Sequence, residues 1–287
     1  MLTLDGGVAT ELERLGIPGE SPWWTTLLSE QKRRVLRAVH AEYLASGAQI
    51  VTANTFRCNT RALQDAGLDK AGYAWMVHAA VGVAMAARND GGGGPTLVAG
   101  SMAPVEDCYR PDLVPSDEEL RAEHGWLATE MMRTGVDLVL IETMNTEREA
   151  RIALEQVQAA GLRAWVSFVC SDGARLLSGE PLADAARAVE SDGAEAVLVN
   201  CTPLARTEEC LRVLGDVCGG PIGAYPNIER RSPSDNGGPL PVAISPEEFA
   251  ATLGRWHDEL GAGLLGGCCG TRPAHIAALR ERLGDGE

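Results

Sequence analysis

The chain has 287 residues, 45% hydrophobic and 23% charged, enough apolar material for one large α/β domain; an α/β barrel needs about 250 residues. Its formal net charge of −15 repels phosphate backbones and argues against nucleic acid as a partner. No stretch approaches the roughly 18 uninterrupted apolar residues of a membrane span, and no basic segment followed by an apolar run opens the chain. A soluble, cytoplasmic protein without a secretory signal is therefore expected. In that setting the eight cysteines point to thiol or metal chemistry rather than a disulfide framework.

In chain order, the first β-rich run, 2–4, is closed by Asp5, Gly6 and Gly7 and leads into an irregular stretch, 6–28, that holds Trp23 and Trp24. The second, 49–53, ends at Asn54 and Thr55; the third, 96–100, follows a glycine run at 91–94 read as a solvated linker. Beyond the stretch 101–115, Ser116 and Glu119 form a capping box that opens a helix. The fourth run, 136–141, ends at Glu142; the fifth is 164–169; the sixth, 195–199, runs into Asn200 and Cys201. The seventh, 221–224, opens into the stretch 225–244, after which Ser245, Pro246 and Glu248 start another helix. The eighth, 263–266, leads to Cys268 and Cys269.

Most of these runs are continuously apolar, as strands buried on both faces are. Gly47, Gly135, Gly161, Gly193 and Gly261 stand between a helix and the next strand, where a left-handed cap is wanted. Strand and helix alternate through eight rounds, which predicts a single (β/α)₈ TIM barrel over 1–287. A doubly wound sheet is the competing architecture, but no GxGxxG loop follows the first strand. The long stretches after strands belong to the catalytic face of such a barrel.

Two adjacent cysteines in a glycine frame, Cys268 and Cys269, end the eighth strand, and Cys201 ends the sixth. Three thiolates with one open position form a catalytic zinc arrangement, and soft sulfur selects zinc over magnesium or calcium. Buried structural cysteines are the bland alternative. Cys58, Cys108 and Cys170 fall near the predicted mouth without that setting; Cys210 and Cys218 read as packing residues. The five histidines, His40, His78, His124, His257 and His275, lie on predicted helices and read as packing or surface groups.

The segments LDGGVATEL at 4–12, TANTF at 52–56, IETM at 141–144, VNCTP at 199–203, YPN at 225–227 and GGCCGT at 266–271 resemble the homocysteine S-methyltransferase family. The resemblance implies that Cys201, Cys268 and Cys269 ligate Zn2+, and that a small thiol acceptor enters as the fourth ligand to take a methyl group from a sulfonium donor. It also implies that Asp5 and Glu142 bind the substrate ammonium. The N–H groups of Gly6 and Gly7 suit its carboxylate, with Asn54, Thr55 and Asn200 as polar supports. Zinc would deprotonate a thiol whose ordinary pKa is near 8.5 and leave its sulfur reactive. Trp23 or Trp24 offers a π face to the donor, or packs the loop. At 228–231 the residues Ile228, Glu229, Arg230 and Arg231 stand where relatives carry a small turn, which reopens the identity of donor and acceptor. A zinc hydrolase on the same barrel, and a component working with a corrinoid partner or another thiol, are the rival readings. The oligomeric state is left open, a homo-oligomer included.

Overall fold

The computed structural model describes residues 1–17, 19, 29–91, 95–229 and 244–284. Eight strands form one sheet: β1 (Leu2–Thr3), β2 (Ile50–Ala53), β3 (Leu97–Met102), β4 (Leu138–Met144), β5 (Ala164–Phe168), β6 (Ala196–Pro203), β7 (Ile222–Asn227) and β8 (Leu264–Leu265). Seven neighbouring pairs run parallel in the order β1-β8-β7-β6-β5-β4-β3-β2. A parallel bridge between Leu4 and Ile50 closes the ring, helped by Gln49 N–H donating to Thr3 (2.8 Å) and Asp5 N–H donating to Ile50 (3.0 Å). The (β/α)₈ barrel expected from the alternation is the fold.

The helices are α1 (Val8–Arg14), α2 (Glu30–Ala45), α3 (Thr60–Asp65), α4 (Lys70–Asp90), α5 (Asp117–Thr134), α6 (Glu147–Ala159), α7 (Leu182–Ser191), α8 (Leu204–Val217), α9 (Pro246–Leu260) and α10 (Pro273–Leu283). The capping boxes at Ser116/Glu119 and Ser245/Glu248 are both formed. Gly135 and Gly261 take φ of 76° and 69° at the ends of α5 and α9, a conformation that penalises any Cβ. The sequence did not announce α1 and α3, which lie in loops leaving β1 and β2, or the antiparallel ribbon that pairs Cys170–Ser171 with Arg175–Leu176.

Strands are buried on both faces, as their unbroken apolar runs require. Leu4, Ile50, Ala99, Leu140, Trp165 and Leu198 fill the barrel interior, while Val51, Val98, Val139, Val166 and Val197 face the helices. All seven residues of β4 are buried, Glu142 among them. Among the described residues no helix is long and apolar enough to cross a membrane. Trp23, Trp24, Arg230, Arg231 and most of the glycine run at 91–94 lie outside the described residues.

Candidate active site

The carboxyl ends of the strands converge on one cavity of about 790 Å³, counted to its open mouth. Asp5, Gly6, Gly7, Asn54, Glu142, Cys201, Cys268 and Cys269 all line it, so eight of the ten residues singled out from sequence meet at one rim. Thr55 and Asn200 do not line it. The Thr55 hydroxyl donates to the Ser101 carbonyl (2.8 Å) and accepts from the Ser101 N–H (2.9 Å), pinning the end of β2 to β3. Asn200 lies beneath the surface and acts through its neighbours.

Two strand ends are bent to present their side chains. Pairing of β4 with β5 shifts register between Ile141 and Met144, and pairing of β6 with β7 shifts between Asn200 and Pro203. At these bends Thr143 and Cys201 adopt φ of 59° and 49°, a strained state for residues with a Cβ. On the opposite wall, a Cβ on Gly7 would stand 2.6 Å from the Cys268 carbonyl oxygen, so only glycine lets β1 approach the cysteine loop. The Gly7 N–H donates to the Thr271 carbonyl (3.2 Å). This corrects its expected role as a free donor for a substrate carboxylate: the loop after β8 has already taken it.

The sulfurs of Cys201 and Cys268 are 3.0 Å apart, and Cys269 joins them through side-chain hydrogen bonding. Sulfhydryl donation from Cys268 and Cys269 lowers the Cys201 pKa, while that of Cys268 rises, so the three thiols titrate as one group. Cys108 also lines the cavity, but burial pushes its thiol up to about 12, which keeps it protonated. Thiolates around one zinc at about 2.3 Å stand about 3.8 Å apart, so the 3.0 Å pair stands closer than two metal-bound sulfurs would. Accordingly, among the described residues no three His, Cys, Asp or Glu groups are already arranged around a metal position. The donor set itself fits one: three soft sulfurs on two strand ends, with the fourth side facing the cavity.

Asp5 accepts from the Thr52 N–H (2.7 Å) and the Thr52 hydroxyl (3.0 Å), yet burial raises its pKa to about 7 against those bonds. Glu142 accepts from the Ser101 hydroxyl and, at 3.4 Å, from Asn200 Nδ2. Burial raises it to about 7 as well, and the Asp5 charge adds to the rise. Two carboxyls facing one cavity and held near neutrality want a cation. The buried Tyr225 hydroxyl lies close enough to Glu142 to oppose its rise and close enough to Ser167 to feel its hydroxyl.

Sequence reasoning missed Thr52, Ser101, Arg57, Tyr109 and Tyr225, all of which line the cavity. Thr52, Arg57 and Tyr225 lie within or beside the family-like segments, and Ser101 directly follows the third apolar run, so their place at strand ends was the available signal. Tyr109, in the loop after β3, carried none. The histidines stand clear of the cavity, in keeping with their reading as packing or surface groups.

The family model described as homocysteine S-methyltransferase matches residues 2–283. The chain belongs to the homocysteine S-methyltransferase family. The Escherichia coli homocysteine methyltransferase MmuM is 30% identical, with 98% of this chain and 96% of that one covered, and superposes with a TM-score of 0.84 in its metallated form. Its oxidized and apo forms give TM-scores of 0.85 and 0.75. The Bacillus subtilis homocysteine S-methyltransferase YbgG is 28% identical over 97% of this chain and 93% of its own length. A selenocysteine Se-methyltransferase of Brassica oleracea is 28% identical over 98% of this chain and 88% of its own length. Within the homocysteine S-methyltransferase family, then, metal loading and oxidation are states in which a relative has been solved.

Proposed function

We propose that this chain transfers a methyl group from a sulfonium, S-methylmethionine or S-adenosylmethionine, to the sulfur of homocysteine, giving methionine. The observation that carries the reading is the meeting of three cysteine sulfurs with two carboxyls of raised pKa in one cavity. One end of that cavity suits a thiol and the other an ammonium. Cys201, Cys268 and Cys269 would hold zinc, which when bound supplies the Lewis acidity that removes the acceptor thiol's proton and keeps its sulfur nucleophilic.

Asp5 and Glu142 grip the acceptor ammonium, so the thiol at the other end of the molecule is delivered to the sulfur cluster in one orientation. Thr52, Ser101 and Asn200 keep the two carboxylates aimed while the site is empty. The donor methyl then passes in line to the acceptor sulfur: a C–S bond forms, the donor's C–S bond breaks, and the positive sulfonium leaves as a neutral thioether. No base is needed at the methyl carbon. The cavity opens to solvent at its mouth, which gives an amino-acid thiol and a compact donor a route to the sulfurs. The eight cysteines are all free, which fits a reducing compartment such as the cytoplasm.

Purified under reducing conditions with zinc, the protein is tested by crossing several thiols with several isotopically methyl-labelled donors and reading products by mass spectrometry. Labelled methionine from homocysteine and a sulfonium is the expected product. Absence of any methylated thiol across the grid overturns the reading, and zinc-dependent cleavage of esters or amides would replace it with a hydrolase.

A further inference from the structure

Arg57 follows the TANTF segment on the loop that leaves β2, and its side chain is buried where it lines the cavity. Its Nη1 donates to the carbonyl oxygens of Pro104 (3.3 Å) and Glu106, and its Nη2 points at Cys108 Sγ across 3.8 Å. The guanidinium carbon stands 5.5 Å from the centre of the Phe56 ring. Its Nε donor is buried and has no partner. Every partner just named is neutral, and among the described residues no ion pair engages this guanidinium. The Glu106 carboxylate, the acidic group next to its carbonyl partners, is paired instead with Arg61 at 2.8 Å.

A guanidinium withdrawn from water beside neutral oxygens and a thiol is expensive to bury unless an anion joins it. Its planar fork matches a carboxylate in two-pronged fashion. The same cavity carries acid on Asp5 and Glu142, so its walls have opposite signs, which is the pattern an amino-acid zwitterion complements. The Gly7 N–H is committed to Thr271, which leaves the Gly6 N–H as the backbone donor expected for a substrate carboxylate from sequence and room for a charged partner beside it.

We propose that Arg57, through its guanidinium, forms an anion subsite that reads the carboxylate of a zwitterionic substrate whose ammonium meets Asp5 and Glu142. This rests on the methyl-transfer reading above and adds the residue that would receive a carboxylate, on the β2 and β3 side of the mouth. An acceptor thiol and a donor sulfonium of amino-acid type present the same chemistry there.

The test pairs each reactant with its decarboxylated twin: homocysteine with 3-aminopropanethiol, and S-methylmethionine with (3-aminopropyl)dimethylsulfonium. Wild type and Arg57→Met are compared by kcat/KM and by calorimetric binding of each compound to the zinc-loaded protein. Loss of a charge-assisted hydrogen bond predicts a drop of about tenfold or more for the carboxylate-bearing member of one pair. Its twin should change by less than about threefold, and the affected pair identifies whether acceptor or donor supplies the carboxylate. Equal losses within both pairs, or loss of zinc, would make Arg57 a brace for the loop or a counter-charge to the sulfurs and overturn the subsite; unchanged values would do the same. If Arg57→Met does not fold, Arg57→Lys keeps the charge and loses the fork, and the same selective loss is required of it. Failure of wild type to turn over any pair sinks the methyl-transfer reading, while calorimetry of carboxylate against twin still decides the subsite.

Discussion

The Thr143 hydroxyl donates to Cys201 Sγ across 3.5 Å, joining the only two residues at strand ends among the described ones that combine a Cβ with left-handed backbone. Asn200 locks the pair together. Its Oδ1 accepts from the Thr143 N–H (2.9 Å) and the Ser167 hydroxyl (2.8 Å), and its Nδ2 reaches the Thr143 hydroxyl (2.8 Å) and Cys201 Sγ (3.4 Å). Backbone of this kind costs on the order of 1–3 kcal/mol per residue and persists only where surrounding bonds hold it. Here the bonds orient a sulfur proposed as a metal ligand and, one residue before Thr143, the Glu142 carboxylate.

Removing this support should loosen the metal without removing a ligand. Asn200→Ala and Thr143→Val are expected to weaken zinc binding by about tenfold to a hundredfold, the usual effect of losing a group that orients a ligand. Competition with a chromophoric chelator measures it. Thr143→Ser, which keeps the hydroxyl, should restore most of the affinity, and unchanged affinity in all three variants would show that the network is only structural.

The ligands themselves should behave differently. About one zinc per chain is expected after purification under reducing conditions, with Cys201→Ala and Cys268→Ala losing most of it and Cys210→Ala, on α8 away from the cavity, losing none. In air, without metal, the 3.0 Å approach of Cys201 and Cys268 favours a disulfide between them. Peptide mapping should find that linkage ahead of any involving Cys58 or Cys170. Full zinc retention by both ligand variants is the result that removes the site.

Much of this was legible before the fold was seen, because a parallel barrel writes itself as apolar runs and puts whatever follows each run at one rim. Asp5, Glu142, Cys201 and Cys268 could be placed together on that ground alone. The Thr143–Asn200–Cys201 network could not, since it joins residues 57 or 58 positions apart through side chains of ordinary loop type. Gly7 was misread for a related reason: its N–H is engaged by Thr271, and no local pattern reports a partner from the other end of the chain. Nothing in the sequence set Arg57 apart. Only the packing of the β3 loop over it makes it a buried charge.

The two carboxyls set a pH dependence whose sign follows from their shifts. Asp5 and Glu142 are both raised to about 7, so the folded chain holds these protons more tightly than the unfolded one. Their effect on stability is absent below about pH 4, grows between about pH 4 and 7, and remains as a penalty above that. Glu142→Gln should therefore raise the melting temperature near pH 8 and leave it unchanged near pH 4. Acceptor binding runs the other way, because an ammonium selects the ionised carboxylates. Homocysteine affinity should rise between about pH 6 and 8, with proton release visible as a dependence on buffer ionisation enthalpy. A simple alkyl thiol isolates the share that comes from thiol ionisation. Parallel pH curves for the two thiols would contradict the carboxylate assignment.

Glu142→Ala separates recognition of the ammonium from support of the site. A charge-assisted hydrogen bond to the substrate contributes roughly 1.5–3 kcal/mol, and about 1.4 kcal/mol is a factor of ten, so kcat/KM with homocysteine should fall by at least about tenfold. Zinc content should not change, since the carboxylate is not among the proposed ligands and Asn200 keeps its bonds to Thr143 and Ser167. Activity toward an alkyl thiol without an amino group should fall little, because that acceptor never made the contact. Removing the buried acid also relieves the like-charge pressure on Asp5, whose pKa should drop and leave it more fully ionised near neutrality, so part of the ammonium binding survives. The double variant with Asp5→Asn should then lose more than either single change. Equal losses on both thiols would mean that Glu142 shapes the rim through Ser101 and Asn200 instead of reading the ammonium. No loss on either would leave the acceptor an anionic or neutral thiol, and Arg57 would be the residue through which to find it.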